Sequence, residues 1–173
     1  MKKLILPFAA VVLLCAGIAC SSRANNTAYK DSVKNALEQA DLKGVTVSED
    51  VDKNTITLGG KLHSEEAKQQ AGQVAQSAAG NRIIANEISI EPVGNEADAR
   101  KIESNVDDAI ESNYKAALIS KGLDKQNINF DAKNGVLTLK GKVKSMEQRQ
   151  LAEQVASSVP NVGQVVNEIQ VRR

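Results

Sequence analysis

Few side chains in this sequence are of the types that carry out catalysis. There is one histidine, His63, and there are two cysteines, Cys15 and Cys20. No second histidine completes a metal site, and no serine, cysteine or aspartate pattern around His63 indicates a catalytic triad. The neighbouring Glu65 and Glu66 are explained as carboxylates in the first turn of a helix. We therefore expect no enzymatic activity, no metal and no cofactor.

The first 20 residues have the layout of a secretory signal peptide. Lys2 and Lys3 form a short positive region, an apolar run follows as far as Leu14, and small residues come next. The apolar run is too short for a membrane-spanning helix with normal flanks. Residues 1–19 are therefore expected to be removed on export, and Cys15 is removed with them.

Cys20 is the residue of the leader region that could carry a modification. The segment Gly17–Cys20 resembles the lipobox of bacterial lipoproteins, in which the cysteine thiol takes a diacylglyceryl group and becomes the new N-terminus. Gly17 stands where a large aliphatic residue is usual. A lone cysteine in an exported protein has no internal disulfide partner. We predict Cys20 as the lipidation site, residues 20–27 as a tether, and a membrane-anchored periplasmic protein; the alternative, cleavage without lipidation, leaves a soluble periplasmic protein.

Removing the leader leaves a nearly neutral chain with few aromatic side chains. Loss of Lys2 and Lys3 lowers the formal net charge from +1 to −1. No global basic field therefore indicates nucleic acid as a partner. The remaining aromatics are Tyr29, Tyr114 and Phe130, too few for base-stacking platforms or aromatic sugar-binding grooves. The core must come from Val, Ile, Leu and Ala, which suits two small modules.

The most informative pattern is an internal repeat with an offset of 81 residues. The segment 57–64 aligns with 138–145, and Asn-Glu-Ile at 86–88 aligns with Asn-Glu-Ile at 167–169. About 15 of 36 aligned positions are identical without a gap. A match of this kind at one fixed offset indicates a duplicated structural module.

Both copies have the same order of predicted elements. In the first copy, apolar spacing predicts a helix over 30–40 and strands near 45–47 and 56–62. Ser64 is a favourable N-cap for a second helix, and a strand over 84–90 closes the copy. This order predicts an α+β fold of two tandem αββαβ modules. Each module should be a three-stranded mixed sheet with two helices on one face.

Pro92 and Gly94 mark the boundary between the copies. We expect module 1 at residues 28–91, a linker at 92–95 and module 2 at 96–173. Because both helices of a module lie on one face of its sheet, the other face must meet water, the other module or a partner.

The segments that carry the repeat resemble the BON domain family. Module 2 has Gly-Val-Leu-Thr-Leu-Lys-Gly-Lys-Val at 135–143, then a serine-capped helix and Val-Gly-Gln-Val-Val-Asn-Glu-Ile at 162–169. Module 1 shows the same frame, and it departs from the family pattern at 81–83, in the loop before its last strand. The resemblance implies a non-enzymatic envelope protein, often linked to osmotic shock protection and proposed to bind phospholipid surfaces.

Basic residues are concentrated in module 2. Lys140, Lys142 and Lys144 alternate along a predicted strand and should share one face of the sheet. Eight basic residues against three acidic ones lie between Lys115 and Arg149. Near an anionic membrane each cation contributes about 1 kcal/mol within a Debye length. The alternative is a solvated sheet face, or an edge strand that lysine protects from pairing.

The helix that opens module 2 is predicted to be longer than its counterpart, acidic at its start and basic at its end. In related dual-BON lipoproteins this helix has been proposed to touch anionic lipid, and Lys115, Ile119 and Lys121 are the matching candidates here. Gly60 and Gly141 occupy equivalent strand positions. Because glycine in a strand allows close backbone approach or marks a bulge, we interpret both as structural.

Two functions are compatible with these patterns. The first is binding to anionic phospholipid membranes, with Cys20 as anchor and module 2 as the contact, in envelope integrity or osmotic stress protection. The alternative is a periplasmic adaptor that binds protein or peptidoglycan through exposed sheet faces or edges. Lipid binding should require anionic headgroups and weaken with salt, whereas adaptor binding need not.

Overall fold

The computed structural model describes residues 28–172. The predicted signal peptide, Cys20 and the tether at 20–27 lie outside the described residues. Module 1 contains α1 (Lys30–Gln39), β1 (Val45–Asp50), β2 (Thr55–Leu62), α2 (Glu65–Ala78), β3 (Ile83–Asn86) and β4 (Ser89–Ile90). Module 2 contains α3 (Glu96–Ser120), β5 (Asn127–Lys133), β6 (Val136–Val143), α4 (Met146–Ser157), β7 (Gln164–Asn167) and β8 (Gln170–Val171).

The predicted fold class is confirmed. In each module the first two strands form an antiparallel hairpin, β1 with β2 and β5 with β6. The closing strand is interrupted after the first four residues, so that β3 and β4 both pair in parallel with β2, and β7 and β8 with β6. Each sheet is therefore mixed, as expected, with its third strand in two pieces.

Local sequence signals account for the turns and helix starts. The hydroxyl of Ser64 accepts a hydrogen bond from Ala67 N at 3.2 Å, and that of Ser145 accepts one from Gln148 N at 3.3 Å. Both serines are N-caps in extended conformation, the geometry that this role requires. Asn134 and Gly135 have positive φ angles of 50° and 80°, as a tight hairpin turn between β5 and β6 requires.

Each module has its own apolar core between its helices and one face of its sheet. In module 1, Val33, Leu37 and Ala71 pack with Ile56 and Leu58 of β2, and all five are buried. The core of module 2 contains larger side chains than that of module 1. It contains Tyr114, Leu137, Leu139, Val155 and Ile169, with Phe130 against its edge.

The sheet faces that the helices leave open meet each other. Ala85 faces away from the helices of module 1, and Val136 and Val166 face away from those of module 2. These three side chains are buried together in a small cluster that both modules form. Of the three possibilities for the open faces, contact between the modules is realised at this point.

The contact between the modules has approximate two-fold character. Ala85 and Val166 are equivalent positions in the repeat, and so are Glu87 and Glu168. Lys133, at the hairpin tip of module 2, pairs with Glu87 at 3.1 Å, while Lys53, at the hairpin tip of module 1, pairs with Glu168 at 3.3 Å. The same surface patch is therefore used on both sides, as in an isologous dimer interface.

Candidate functional site

One end of module 2 brings together separate parts of the chain. α3 ends at Ser120, and the following loop leads to Asn127 of β5, which pairs with Lys142 near the end of β6. α4 starts at the same end, and Gln170 of β8 also pairs with Lys142. We call this region the distal end. Its exposed side chains include Ile119, Lys121, Lys142, Lys144, Met146 and Arg172.

The cations of the distal end are unpaired among the residues that the structure describes. Lys121, Lys142, Lys144 and Arg172 form no ion pair with any carboxylate in the range 28–172. The same is true of Lys115, one helical turn before Ile119. Positive charge at this end is therefore available to an external anion.

Carboxylates at this end do not neutralise it. Hydrogen bonds from the Ser145 hydroxyl and from its own backbone N–H lower the pKa of Glu147, so this side chain stays ionised at the start of α4. Asp124 lies in the loop after α3 and is exposed. Two exposed acids stand here against the four cations of the distal end, and the local charge remains positive.

The lysines of module 1 are largely engaged within the protein. Lys34 lies 3.9 Å from Glu38, Lys43 lies 2.8 Å from Asp41, and Lys61 lies 3.0 Å from Glu91. Lys53 pairs with both Asp50 and Glu168. The cluster of unpaired cations at the distal end is therefore a property of module 2 and not of the fold that the modules share.

Two exposed apolar side chains lie among the distal cations. Ile119 is 57% exposed and Met146 is 50% exposed. Ile119 is in the last turn of α3 and Met146 is the first residue of α4, so each has a lysine within two residues in the sequence. Apolar side chains flanked by lysines are one feature of amphipathic segments that bind at membrane interfaces.

The three alternating lysines do not all belong to one strand face. Lys140 and Lys142 are on β6, where they pair with Asn129 and Asn127 on the face opposite the helices. Lys144 lies beyond the end of β6, and its N–H donates to Gln148 Oε1 at 2.9 Å. The prediction of a shared strand face was right for Lys140 and Lys142 and wrong for Lys144. The strand ends because the chain must turn there into α4.

The two equivalent glycines stand where the backbone leaves no room for a side chain. Gly60 has a φ of +97° and Gly141 has a φ of +119°, both in the left-handed region. A Cβ at Gly60 would overlap the carbonyl oxygen of Gly44, and one at Gly141 would overlap that of Asn127. Both positions therefore require glycine for conformation and for close approach of the neighbouring strand.

His63 has a structural partner. Its Nδ1 lies 2.9 Å from the carbonyl oxygen of Glu91, to which it donates a hydrogen bond. Within residues 28–172 no group of three or more His, Cys, Asp and Glu side chains is placed to hold a metal ion. No helix in the same range is long and apolar enough to cross a membrane.

Met146 and Arg172 belong to the distal end but did not emerge from sequence patterns. A signal for Arg172 was present in the repeat, because the offset aligns it with Glu91 and so reverses the charge between the copies. The exposure of Met146 had no such signal. It follows from the position of this residue at the first turn of α4, outside the core.

Comparison with known proteins supplies the family. The sequence matches the BON domain at residues 25–92 and again at residues 106–173. These matches span most of the chain, and the protein therefore belongs to the BON domain family. It is similar to osmotically-inducible protein Y of Escherichia coli (strain K12), with 25% identity over 151 residues, which are 86% of this chain and 73% of that protein.

Two solved structures of CdsD, a structural protein of the type III secretion system of Chlamydia trachomatis, also align with this chain. The TM-scores are 0.32 and 0.33, at 16% and 14% identity. The alignments cover 83% of this chain and span 65% and 61% of the CdsD chains. At these TM-scores the likeness indicates nothing about function.

Proposed function

We propose that this protein is a non-enzymatic component of the bacterial cell envelope that binds anionic phospholipid surfaces through the distal end of module 2. The observation that carries the proposal is the concentration of unpaired cations around Ile119 and Met146. Similarity to an osmotically-inducible protein supports a role in envelope integrity or osmotic stress protection.

The charge of the distal end is sufficient for binding that depends on salt. A lysine or arginine near an anionic membrane contributes about 1 kcal/mol, and the effect decays over a Debye length of about 8 Å at physiological ionic strength. Four cations would therefore contribute about 4 kcal/mol at most. Insertion of the apolar side chains of Ile119 and Met146 would add to this.

The anchor is the second part of the proposal. Cys20 would carry the lipid and hold the protein at the periplasmic side of a membrane, with residues 20–27 as the tether to module 1. A single acyl chain gives only marginal membrane binding, whereas several chains anchor stably. Replacing Cys20 with Ser should release the mature protein into the soluble periplasmic fraction, and intact mass analysis of the natural form should show the lipid.

Vesicle flotation of residues 21–173 tests the lipid contact without the anchor. We expect flotation with vesicles that contain phosphatidylglycerol and none with phosphatidylcholine alone, and weaker binding as salt rises. Changing Lys121, Lys142 and Lys144 to Glu should reduce the affinity at least about a hundredfold, because three contributions of about 1 kcal/mol are lost.

The matched control changes the same charge on module 1. Lys30, Lys34 and Lys43 are exposed lysines of module 1, and changing them to Glu alters the net charge equally. This variant should float like the unaltered protein. Equal loss in both variants would mean that only net charge matters. Absence of flotation under all conditions would contradict intrinsic lipid binding and would leave the adaptor function.

A further inference from the structure

The outer edge of the last strand of module 1 is closed by a glutamate. Ile90 N–H, on β4, donates to Glu103 Oε1 at 2.9 Å, and the Ser89 hydroxyl donates to the other oxygen of the same carboxylate. Glu103 lies on the first half of α3. A helix-borne carboxylate thus satisfies a strand edge that would otherwise be open to pairing.

An ion pair beside this edge fixes the same helix. The side chain of Glu91 is 5% exposed, and it lies 3.0 Å from Lys61 Nζ and 3.4 Å from Arg100 Nη1. Arg100 is three residues before Glu103, so the two side chains share one face of α3. The edge of module 1 therefore binds a helix through one cation and one carboxylate.

Within residues 28–172 no helix covers the equivalent edge of module 2. Val171 of β8 is the counterpart of Ile90, and Lys142 is the counterpart of Lys61. Arg172 N–H donates to Val143 O at 2.8 Å, as Glu91 N–H does to Leu62 O, so Val171 N–H is directed away from β6. No side chain in the described range accepts a hydrogen bond from Val171 N–H.

The charge of this second edge is reversed. Arg172 stands at the position of Glu91, so that Lys142 and Arg172 form a pair of cations with no carboxylate partner among residues 28–172. Together with Gln170 and Val171 they line an open cavity of about 470 Å³. An anionic group that accepts a hydrogen bond from a backbone N–H would therefore complement this edge.

We propose that the β8 edge of module 2 is a docking site for an acidic helix of a partner protein, bound as β4 binds α3. One glutamate of the partner helix, at the position that Glu103 has in α3, would accept a hydrogen bond from Val171 N–H and pair with Lys142. A second acid three residues earlier, at the position of Arg100, would pair with Arg172. This pair of acids at i and i+3 is the recognition element. It engages Lys142 and Arg172, two of the four distal cations, so a partner helix and an anionic membrane would compete for them.

A synthetic copy of the chain's own docking helix is the probe. The peptide spans residues 94–113 and carries Arg100→Glu, which matches it to Arg172. Because isolated helices of this length are marginal in water, Ile102→Lys allows a lactam between positions 98 and 102, on the face away from Arg100 and Glu103. A second peptide with the same lactam keeps Arg100.

Amide NMR spectra of labelled residues 21–173 are recorded with each peptide. We expect the largest shifts at Lys142, Val171 and Arg172, and roughly tenfold tighter binding of the Arg100→Glu peptide. Changing Arg172 to Glu recreates the charge of module 1 and should reverse this preference. Lys30→Glu, an exposed change of equal charge in module 1, should leave both affinities as they were.

Three outcomes would overturn the proposal. One is the absence of amide shifts around Val171 at millimolar peptide, and another is a preference that Arg172→Glu does not alter. The third is a Val171 shift with soluble dihexanoyl phosphatidylglycerol but not with peptide, which would assign the edge to lipid headgroups. Vesicle flotation is measured separately, so failure of the docking site is distinguishable from failure of membrane binding.

Discussion

Modules 1 and 2 share one backbone plan but stabilise one corner of it differently. In module 1 a buried ion pair joins Glu49 on β1 to Arg82, before β3, with 3.0 Å between Glu49 Oε1 and Arg82 Nε. The other oxygen of Glu49 accepts hydrogen bonds from the backbone N–H groups of Tyr29 and Lys30 at the start of α1. The carboxylate therefore holds a helix and two strands together.

In module 2 the same corner has no such pair. Glu49 on β1 lies opposite Ile56, and Ala132 on β5 lies opposite Leu137, the repeat equivalent of Ile56, so strand pairing places Ala132 at the position of Glu49. The repeat places Gly163 at that of Arg82. The Phe130 ring meets the ring of Tyr114 edge to face, with centroids 5.0 Å apart. This is one of the favoured geometries for an aromatic pair. Phe130 lies two residues before Ala132 on the same face of β5, so module 2 has an aromatic pair beside the corner where module 1 has a charged network.

The comparison separates what the fold requires from what it permits. Both copies keep the left-handed glycine of the second strand, the serine N-cap and the Asn-Glu pair near the last strand. Charges on the surface and polar groups at the α1 corner differ freely. Module 1 engages most of its cations in ion pairs, whereas Lys121, Lys142, Lys144 and Arg172 of module 2 have no such pair within residues 28–172.

The largest loss of folding stability is expected from substitution of the strand glycine that both modules share. Gly141→Ala should cost about 1–3 kcal/mol for the left-handed conformation and a further amount of about 1–3 kcal/mol for overlap with Asn127 O. Gly60→Ala should behave alike, because its Cβ would meet Gly44 O. Urea unfolding of each variant measures these costs.

Gly94 in the linker is the control for conformational strain alone. It has a φ of +87°, and a Cβ there would meet no atom within 4 Å. Gly94→Ala should therefore cost less than either strand substitution. Equal costs at all three positions would show that strand approach contributes nothing, and would remove the main structural feature that the modules have in common.

The next largest effect concerns the ion pair that only module 1 has. The side chains of Arg82 and Glu49 are 7% and 3% exposed, so Arg82→Met leaves an unpaired buried carboxylate. Breaking a buried pair in this way costs about 3–5 kcal/mol. Thermal unfolding should show module 1 melting at a lower temperature than module 2.

The double variant Glu49→Met with Arg82→Met sharpens the comparison. Replacing both partners with apolar groups is often neutral, because no buried charge remains. We expect the double variant to be more stable than Arg82→Met alone. A double variant as unstable as the single one would show that the hydrogen bonds that Glu49 accepts from the start of α1, and not the ion pair, hold this corner.

The same corner shows how far sequence reasoning extends. Local signals predicted the elements, because alternation, helical spacing and the caps at Ser64 and Ser145 depend on neighbours along the chain. The sequence shows that Asn81-Arg82-Ile83 departs from the family pattern, but it does not show that the reason is an ion pair. Arg82 and Glu49 are 33 residues apart, and only the fold brings them into contact.

The candidate site was predictable only in part for a similar reason. The lysines at 140 and 142 and the basic end of α3 follow from periodicity and charge. Their meeting with Met146 and Arg172 depends on three chain segments ending at one end of the sheet. The contact between the modules also lacked a signal, because Ala85, Val136 and Val166 read as ordinary strand residues.

A smaller effect is expected at the contact between the modules. The Gln164 side-chain amide donates to Ile84 O, and its oxygen accepts from Asn86 N–H at 3.1 Å, so one side chain of module 2 satisfies the outer edge of β3. Gln164→Ala leaves both backbone groups without this partner, which costs about 1–3 kcal/mol. Urea unfolding should show lower stability or two separated transitions.

Gln170→Ala is the matched control, because Gln170 is an exposed glutamine on β8 of the same sheet. Its effect should stay within about 0.5 kcal/mol, as for surface substitutions elsewhere. If Gln164→Ala were equally mild, the modules would be joined by the apolar cluster and the reciprocal ion pairs alone.

The smallest effect at neutral pH is expected from the aromatic pair of module 2. Tyr114 is fully buried, its hydroxyl donates to Ala152 O at 3.2 Å, and burial raises the pKa of its phenol above the ordinary value. The folded protein therefore keeps a proton that the unfolded chain loses near pH 10. Stability from this group is fully present below about pH 10 and is lost as the pH rises through the folded-state pKa.

Tyr114→Phe should thus cost about 1 kcal/mol at pH 7, through the lost hydrogen bond, and less as the pH approaches 11. Between pH 10 and pH 11 this ionisation should lower the free energy of unfolding of the protein with Tyr114 by up to about 1.4 kcal/mol. It should not affect the free energy of unfolding of the Tyr114→Phe variant. Urea unfolding from pH 8 to 11 measures both curves, with Tyr29→Phe in each so that no second tyrosine ionises. Parallel curves would mean that the phenol ionises without unfolding module 2, and that its ring, not its proton, is what the core requires.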